Sequence, residues 1–363
     1  MRTLAKAMAV TSVVALALTG CGRDESTDSG TGGGKSEGFA ADSLIGVSLP
    51  QKTSENWVLA EKLFNDGLSE AGFEADVQFA NAGVSEQQNQ IQSMVTKGAK
   101  VIVVGAIDGS QLGSQLEAAK DTGAVVLAYD RLVKETEAVD YYVAYDNFKV
   151  GELQGQALLD GMAAKKPKGP YNIELFAGSP DDANAQVFFD GAMSVLQPKI
   201  DDGTVVVKSG QVAFNQVVTQ AWKDENAQKR MDTLMTSTYT SAELNGVLSP
   251  NDNLARAIMR SVKAAGKPNP IVTGQDSEVE SVKSIMAGQQ YSTINKDTRA
   301  LVAETIEMVQ AFQKGEEPTI TDTKSYDNGV KVVPANLLPP QIVTKENAKE
   351  AYANDPTLSA LTG

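Results

Sequence analysis

Histidine is absent from the chain, and cysteine occurs once, at Cys21. Without an imidazole there is no Ser-His-Asp triad, no histidine-ligated metal, and no side chain that ordinarily titrates near neutrality. A single cysteine excludes disulfides within the chain, CxxC redox sites and cysteine–histidine nucleophiles. Basic residues are short as well: 32 Lys and Arg against 46 Asp and Glu leave a net charge of −14. Phosphate binding needs a basic surface, so nucleic acid is not expected as a partner. Any enzyme built from this set would work with carboxylates, lysine, tyrosine or serine, and no metal or cofactor is expected.

What remains is ordinary soluble composition, 42% hydrophobic and 21% charged. A length of 363 residues exceeds one hydrophobic core and suits two domains. The first twenty residues have a basic start (Arg2, Lys6) and an apolar run from Ala7 to Leu18. That run is too short to span a bilayer and reads as the core of a signal peptide over residues 1–20. It ends in Leu18-Thr19-Gly20-Cys21, which resembles a bacterial lipobox. The resemblance makes Cys21 the expected lipidation site and membrane anchor. Residues 21–42, rich in Gly, Ser, Thr, Asp and Glu, have little to bury and read as a disordered tether.

From Leu44 onward, short apolar runs alternate with stretches of helical period. The expected strands are Leu44–Leu49, Ala75–Phe79, Val101–Val104, Val125–Ala128, Tyr141–Ala144, Ile173–Phe176, Val205–Lys208, Gly246–Leu248, Ile271–Thr273 and Ser292–Ile294. Several are unbroken Val/Ile/Leu runs, as parallel strands buried on both faces require. Between them, Trp57–Ala71 carries Leu59, Leu63, Phe64 and Leu68 on one side, and Gly72, Gly98, Gly123 and Gly266 stand where helices stop. Repeated β-α-β units predict an α/β fold of two doubly wound parallel-sheet domains.

Polar residues follow the strands. Asp108 comes after the third, Asp130-Arg131 after the fourth, and Ser179, Asp181, Asp182 and Asn184 after the sixth. Asn251-Asp252, Gln275-Asp276 and Asn295-Lys296 follow the later ones. Ligands of open parallel sheets bind beyond the carboxyl ends of the strands, so two facing sheets would gather these groups into one cleft. Asp130 and Asp276 occupy similar places, as in a pseudo-repeat. Carboxylates, amides, one Arg and one Lys suit a ligand dense in hydroxyls, each of which donates and accepts. Micromolar capture of a monosaccharide needs about −8 kcal/mol, which charged hydrogen bonds of about 1.5–3 kcal/mol each can supply. Trp57 and Trp222, the only tryptophans, are the candidates for stacking on a sugar's C–H face.

The ordered set VLAYDR (126–131), NIELFAGSPDD (172–182), GAMSVL (191–196), LSPND (248–252), TGQD (273–276), YSTINKDT (291–298) and NGVKVVP (328–334) carries a family resemblance. It resembles the periplasmic monosaccharide-binding proteins of ABC importers, of the ribose/xylose type, and among them the xylose-binding and multiple-sugar-binding members. The resemblance implies the type I periplasmic binding protein fold, two lobes joined by a three-crossover hinge with the sugar between them. The lobes are expected at 43–146 plus 297–325 and at 147–296 plus 326–363. Sugar contacts are implied at Trp57, Asp130, Arg131, Asn184, Asn251, Asp276 and Lys296, with Trp222 as a second stacking aromatic. Asn56 departs from the pattern, since the xylose and multiple-sugar relatives carry arginine there; it joins the candidate ligand-binding set as the position that bears on which sugar is taken.

The expected function is an extracytoplasmic, lipid-anchored, monomeric receptor that captures an aldopentose or aldohexose and delivers it to ABC permease subunits. Two alternatives share the cleft. A sensor would present the bound sugar to a membrane receptor, and a carboxylate-only glycoside hydrolase could use Asp130 and Asp276.

Overall fold

The computed structural model describes residues 38–363 apart from Thr53; the signal-peptide, lipobox and Cys21 readings lie outside the described residues. The chain opens with β1 (Leu44–Leu49), α1 (Glu55–Glu70), β2 (Glu74–Phe79), α2 (Val84–Thr96), β3 (Val101–Val104), α3 (Gly113–Asp121), β4 (Val125–Tyr129) and β5 (Tyr141–Tyr145). These strands run parallel in the order β5-β4-β3-β1-β2. All four residues of β3 are buried because both faces of the sheet are covered. Ile102, Val104, Val126 and Ala128 pack with Ile91, Met94 and Leu116 of α2 and α3. The alternate residues Val101, Val103, Leu127 and Tyr129 pack with Phe64 and Leu68 of α1. Period-two alternation between two apolar layers explains why the strands read as unbroken apolar runs. Gly72, Gly98, Gly123 and Gly266 all take positive φ just past helices, as expected.

After β5 come α4 (Asn147–Lys165), β6 (Tyr171–Leu175), α5 (Ala183–Asp201), β7 (Val205–Val207), α6 (Phe214–Val217), a 3-10 turn (Gln220–Trp222), α7 (Asp224–Ser237), β8 (Gly246–Leu248), α8 (Asp252–Ala264), β9 (Ile271–Val272), α9 (Val279–Met286) and β10 (Ser292–Asn295). A second parallel sheet has the order β7-β6-β8-β9. The chain then continues through α10 (Thr298–Lys314), β11 (Ala335–Leu338), β12 (Gln341–Thr344) and α11 (Ala348–Ala351). Glycines let α4 and α5 touch: a Cβ at Gly151 would overlap the Phe188 carbonyl, and one at Gly191 the Phe148 carbonyl. This close approach seats Phe188 against Val150 and Ile294.

Two details differ from expectation. β11 and β12 were not anticipated, and β11 pairs in parallel with β5, extending the first sheet to six strands. β11 (Ala335–Leu338) therefore lies in the first sheet, although the expected second lobe resumes at residue 326. The cause is a free β5 edge, which the extended Ala335–Leu338 segment satisfies. β10 does not join the parallel ladder; it pairs antiparallel with β12. It still lies along β9, with Tyr291 N donating to Val272 O (3.0 Å) and Asp276 N to Ile294 O (2.9 Å). The chain thus crosses between the two halves at 145–147, 295–298 and 338–341. The two helices entered by crossing are capped alike. Asp146 accepts from Lys149 N (3.0 Å) at α4, and Asp297 accepts from Arg299 N (2.9 Å) at α10.

Candidate functional site

A cavity of about 440 Å³ lies between the carboxyl ends of the two sheets. All nine sequence-derived candidates line it: Asn56, Trp57, Asp130, Arg131, Asn184, Trp222, Asn251, Asp276 and Lys296. Its volume is in the range of small-molecule sites. Asp108 and Asp181, also noted after strands, are not in the lining. Asp108 closes its own turn on Ser110 (2.8 Å), and the Asp181 carbonyl accepts from Gly109 N (3.2 Å).

The first half contributes the start of α1 and the residues beyond β4. Ser54 caps α1 by accepting from Asn56 N (3.3 Å), which fixes Asn56 and Trp57 at the cavity wall. A Cβ at Gly105, just past β3, would meet Trp57 Cζ3 at 3.1 Å, so the indole is seated on a glycine. The Tyr129 ring meets it edge-on, with centroids 6.0 Å apart, and the Arg131 guanidinium lies 5.5 Å from its ring centre. Asp130 takes a left-handed backbone (φ 60), a region that Asp tolerates better than most residues. Arg131 is steered by two acceptors, the Ala106 carbonyl (3.1 Å) and Asp182 Oδ2 (3.1 Å).

The second half supplies a matching wall. Asp276 is also left-handed (φ 93), and a Cβ at the preceding Gly274 would overlap Asp252 Oδ1, which accounts for that glycine. Asn184 Nδ2 donates to the Asp130 carbonyl across the cleft (2.7 Å), and its Oδ1 accepts from Tyr142 Oη (3.1 Å). Asn56 Nδ2 crosses in the other direction to the Asp276 carbonyl (3.3 Å). Asn251 caps α8, its Oδ1 accepting from Leu254 N (3.0 Å), which leaves the amide NH₂ as its group for a ligand. Trp222 rests on Gly178, where a Cβ would overlap its Cζ2 and Cη2.

Lys296, at the end of β10, stands between the two aspartates, 3.2 Å from Asp276 Oδ1 and 3.8 Å from Asp130 Oδ1. Burial alone would pull its ammonium down, but Asp276 and Asp130 outweigh burial and hold the pKa above the ordinary lysine value. Burial pushes the Asp182 carboxyl above the usual carboxylate range, with Arg131 opposing. Burial likewise raises Glu278, against the pull of Arg256. The two inner cations, Arg131 and Lys296, are therefore already engaged by carboxylates. Among the described residues the wall presents hydrogen-bonding groups in both senses, and its two inner cations already face carboxylates, which favours a neutral polyhydroxyl ligand over an anion.

Sequence reasoning missed several lining residues, among them Tyr145, Phe188, Asn253 and Glu278. Phe188 sits 5.5 Å beneath Lys296 Nζ, yet in sequence it looks like any helix core residue. Gln275 was noted only as a neighbour of Asp276. It is buried, lines the cavity, and its Oε1 has no hydrogen-bond partner among the described residues. A buried orphan acceptor is costly unless something donates to it.

The chain matches the family described as "Periplasmic binding protein domain" over residues 45–317. It is 50% identical over 315 residues to the multiple sugar-binding periplasmic receptor ChvE of Rhizobium radiobacter, covering 85% of this chain and 89% of the receptor. It is 33% identical over 312 residues to the D-xylose-binding periplasmic protein of Escherichia coli, covering 86% of this chain and 89% of that protein. Among solved structures it resembles an ABC transporter solute-binding protein of Clostridium phytofermentans with bound β-D-glucose. There the TM-score is 0.84 and the identity 40%, covering 88% of this chain and 100% of that one.

Proposed function

Since the chain belongs to the periplasmic binding protein family, we propose that it is an extracytoplasmic receptor that closes two lobes on one neutral monosaccharide and delivers it to an ABC importer. The observation that carries this reading is the cavity between the sheets, where Asp130, Asp276, Asn184 and Lys296 converge from both halves between two tryptophans. The lobes of this proposal are residues 43–146 with 297–338, and 147–296 with 339–363.

In this reading Asp130 and Asp276 accept sugar hydroxyls, each through two oxygens, while Lys296 keeps the pair compatible in one small space. Arg131, Asn184 and the Asn251 amide donate to sugar oxygens. Gln275 Oε1 accepts a hydrogen bond from a sugar hydroxyl, which removes its orphan state. Trp57 and Trp222 cover the apolar C–H faces. The protein acts as a carrier without turning the sugar over, as a monomer held to the membrane through a lipid on Cys21. The lipobox resemblance supports that anchor.

Calorimetry of the untethered domain against D-glucose, D-galactose, D-xylose and L-arabinose tests the reading. Saturable one-to-one binding of at least one sugar is expected at micromolar Kd or tighter. Heats no greater than dilution across the panel would end it. Incubation with aryl glycosides should release no sugar; measurable turnover would replace the carrier with a hydrolase.

A further inference from the structure

Asp182 also lines the cavity, and its carboxylate holds three of the groups assigned to the ligand. Oδ1 accepts from Asn184 N (3.0 Å), which caps α5. Oδ2 accepts from Trp222 Nε1 (3.1 Å) and pairs with Arg131 Nε (3.1 Å). Arg131 comes from the first half of the molecule, whereas Trp222 and Asn184 come from the second. The Asp182 side chain is 5% exposed, so water competes little for these bonds.

We infer that Asp182 is a positioning residue that locks the Trp222 indole and the Arg131 guanidinium to each other across the cleft. The inference rests on the sugar-carrier reading for its binding consequences, but the lock itself is a matter of geometry.

Trp222 needs such a tether. Ala221 and Trp222 both have left-handed backbones (φ 54 and 53), which side chains of this kind rarely adopt. The segment is zipped to the end of β6 by Ala177 N to Val217 O (2.9 Å), Thr219 N to Gly178 O (3.1 Å) and Ala221 N to Ser179 Oγ (2.7 Å). Those bonds place the backbone, and Gly178 stops the ring from moving inward. Only the bond from Nε1 to Asp182 fixes the ring's rotation by a polar contact. The same oxygen meets Arg131, so the stacking surface and the guanidinium come into register when the halves close.

Asp182→Asn isolates this role. Asparagine caps helices as well as aspartate, so Oδ1 keeps the bond from Asn184 N. Its Nδ2 then faces two donors, Arg131 Nε and Trp222 Nε1, and neither bond survives. Two arms are needed. In the first, both proteins also carry Trp57→Phe, so Trp222 is the one remaining tryptophan, and its emission is recorded without sugar. Asp182→Asn should shift that emission while the variant still unfolds in one cooperative transition, at a lower temperature than its parent. In the second, affinities for those of the four panel sugars that the parent binds are measured calorimetrically in the Trp57 protein, and a loss of about tenfold or more is expected. Trp222→Phe keeps a ring and loses Nε1, so adding it to Asp182→Asn should cost less than the two single losses combined.

Unchanged emission, affinities within threefold of the parent, or fully additive losses would each overturn the inference. If the parent binds none of D-glucose, D-galactose, D-xylose and L-arabinose, the carrier reading fails and the emission arm still decides the lock. Should Asp182→Asn not fold, Arg131→Lys and Trp222→Phe each remove one bond to an intact carboxylate. Coupling between that pair beyond threefold supports the lock, and additivity overturns it.

Discussion

Asp130 and Asp276 are equivalent positions of an internal repeat. Each has a left-handed backbone, and each donates its N–H to a carbonyl of the following strand, Val143 in β5 (2.8 Å) and Ile294 in β10 (2.9 Å). Each of those strands leads into an aspartate-capped crossing helix, α4 or α10. The two carboxylates then meet the same ammonium, Lys296. The repeat seen in sequence as two strand-Asp segments is therefore a repeat of backbone conformation and pairing.

Loss of either carboxylate should be felt strongly in binding. Asp130→Ala and Asp276→Ala are each expected to cost about 2–4 kcal/mol of sugar affinity, through lost charged bonds and the hydroxyls left unpaired. Asparagine at either site tolerates the left-handed backbone and should cost less. Calorimetry on the four variants checks this, and a change below about threefold (roughly 0.65 kcal/mol) removes that residue from the ligand contacts.

Asn56 should influence which sugar is preferred. Its Nδ2 reaches the carbonyl of Asp276, so it touches the opposite wall beside a proposed hydroxyl acceptor. Asn56→Arg replaces a short amide by a longer, charged, multi-donor group. Affinities across sugars differing at single hydroxyls should change order. A uniform shift over the panel would mean that Asn56 affects closure and does not read the ligand.

The two glycines beneath the tryptophans should differ in tolerance. At Gly178 a Cβ would overlap the Trp222 ring, whereas at Gly105 it would stand 3.1 Å from Trp57 Cζ3 and 3.2 Å from Pro50 Cδ. Gly178→Ala is expected to push Trp222 into the cavity and weaken binding by about 1–3 kcal/mol, as overpacking does. Gly105→Ala should need only a small shift and cost less. Equal losses in both would contradict the seating argument.

Asp252 gives a pH signature. It is fully buried beneath Gly274, and burial followed by repulsion from Glu278 raises its pKa well above the ordinary value. A carboxyl raised on folding stabilises the fold below the unfolded pKa of about 3.9 and loses that contribution as pH rises through the folded value. Asp252→Asn removes the titration. Its melting temperature relative to wild type should become more favourable as pH rises from about 4 to about 7. A constant difference across that window would show that folding does not raise the Asp252 pKa.

Cys21 should govern membrane retention. Cys21→Ser is expected to fold and bind sugar while losing its partition into the membrane fraction. Fractionation followed by immunoblotting reads the outcome, and full retention of the serine variant would exclude the lipid anchor.

The sequence by itself determined the strand segments β1 to β10 and the membership of much of the cavity. Val101–Val104 is apolar at every position because both faces of the strand are buried, and that local fact leaves a local trace. Asp130, Asp276 and Lys296 were visible because the ends of parallel strands point to one edge, so a polar residue there has a place before any coordinates exist. Only the tertiary structure decided which edge Ala335–Leu338 would join, since a four-residue strand reads the same beside any open edge and the free edge of β5 chose it. The same holds for Asp182, which in sequence is one of two adjacent aspartates before a helix. Its partners Arg131 and Trp222 lie far away along the chain, and their meeting at one oxygen depends on how the two halves close. Burial patterns are written residue by residue, whereas pairing between distant groups is set by the packing that brings them together.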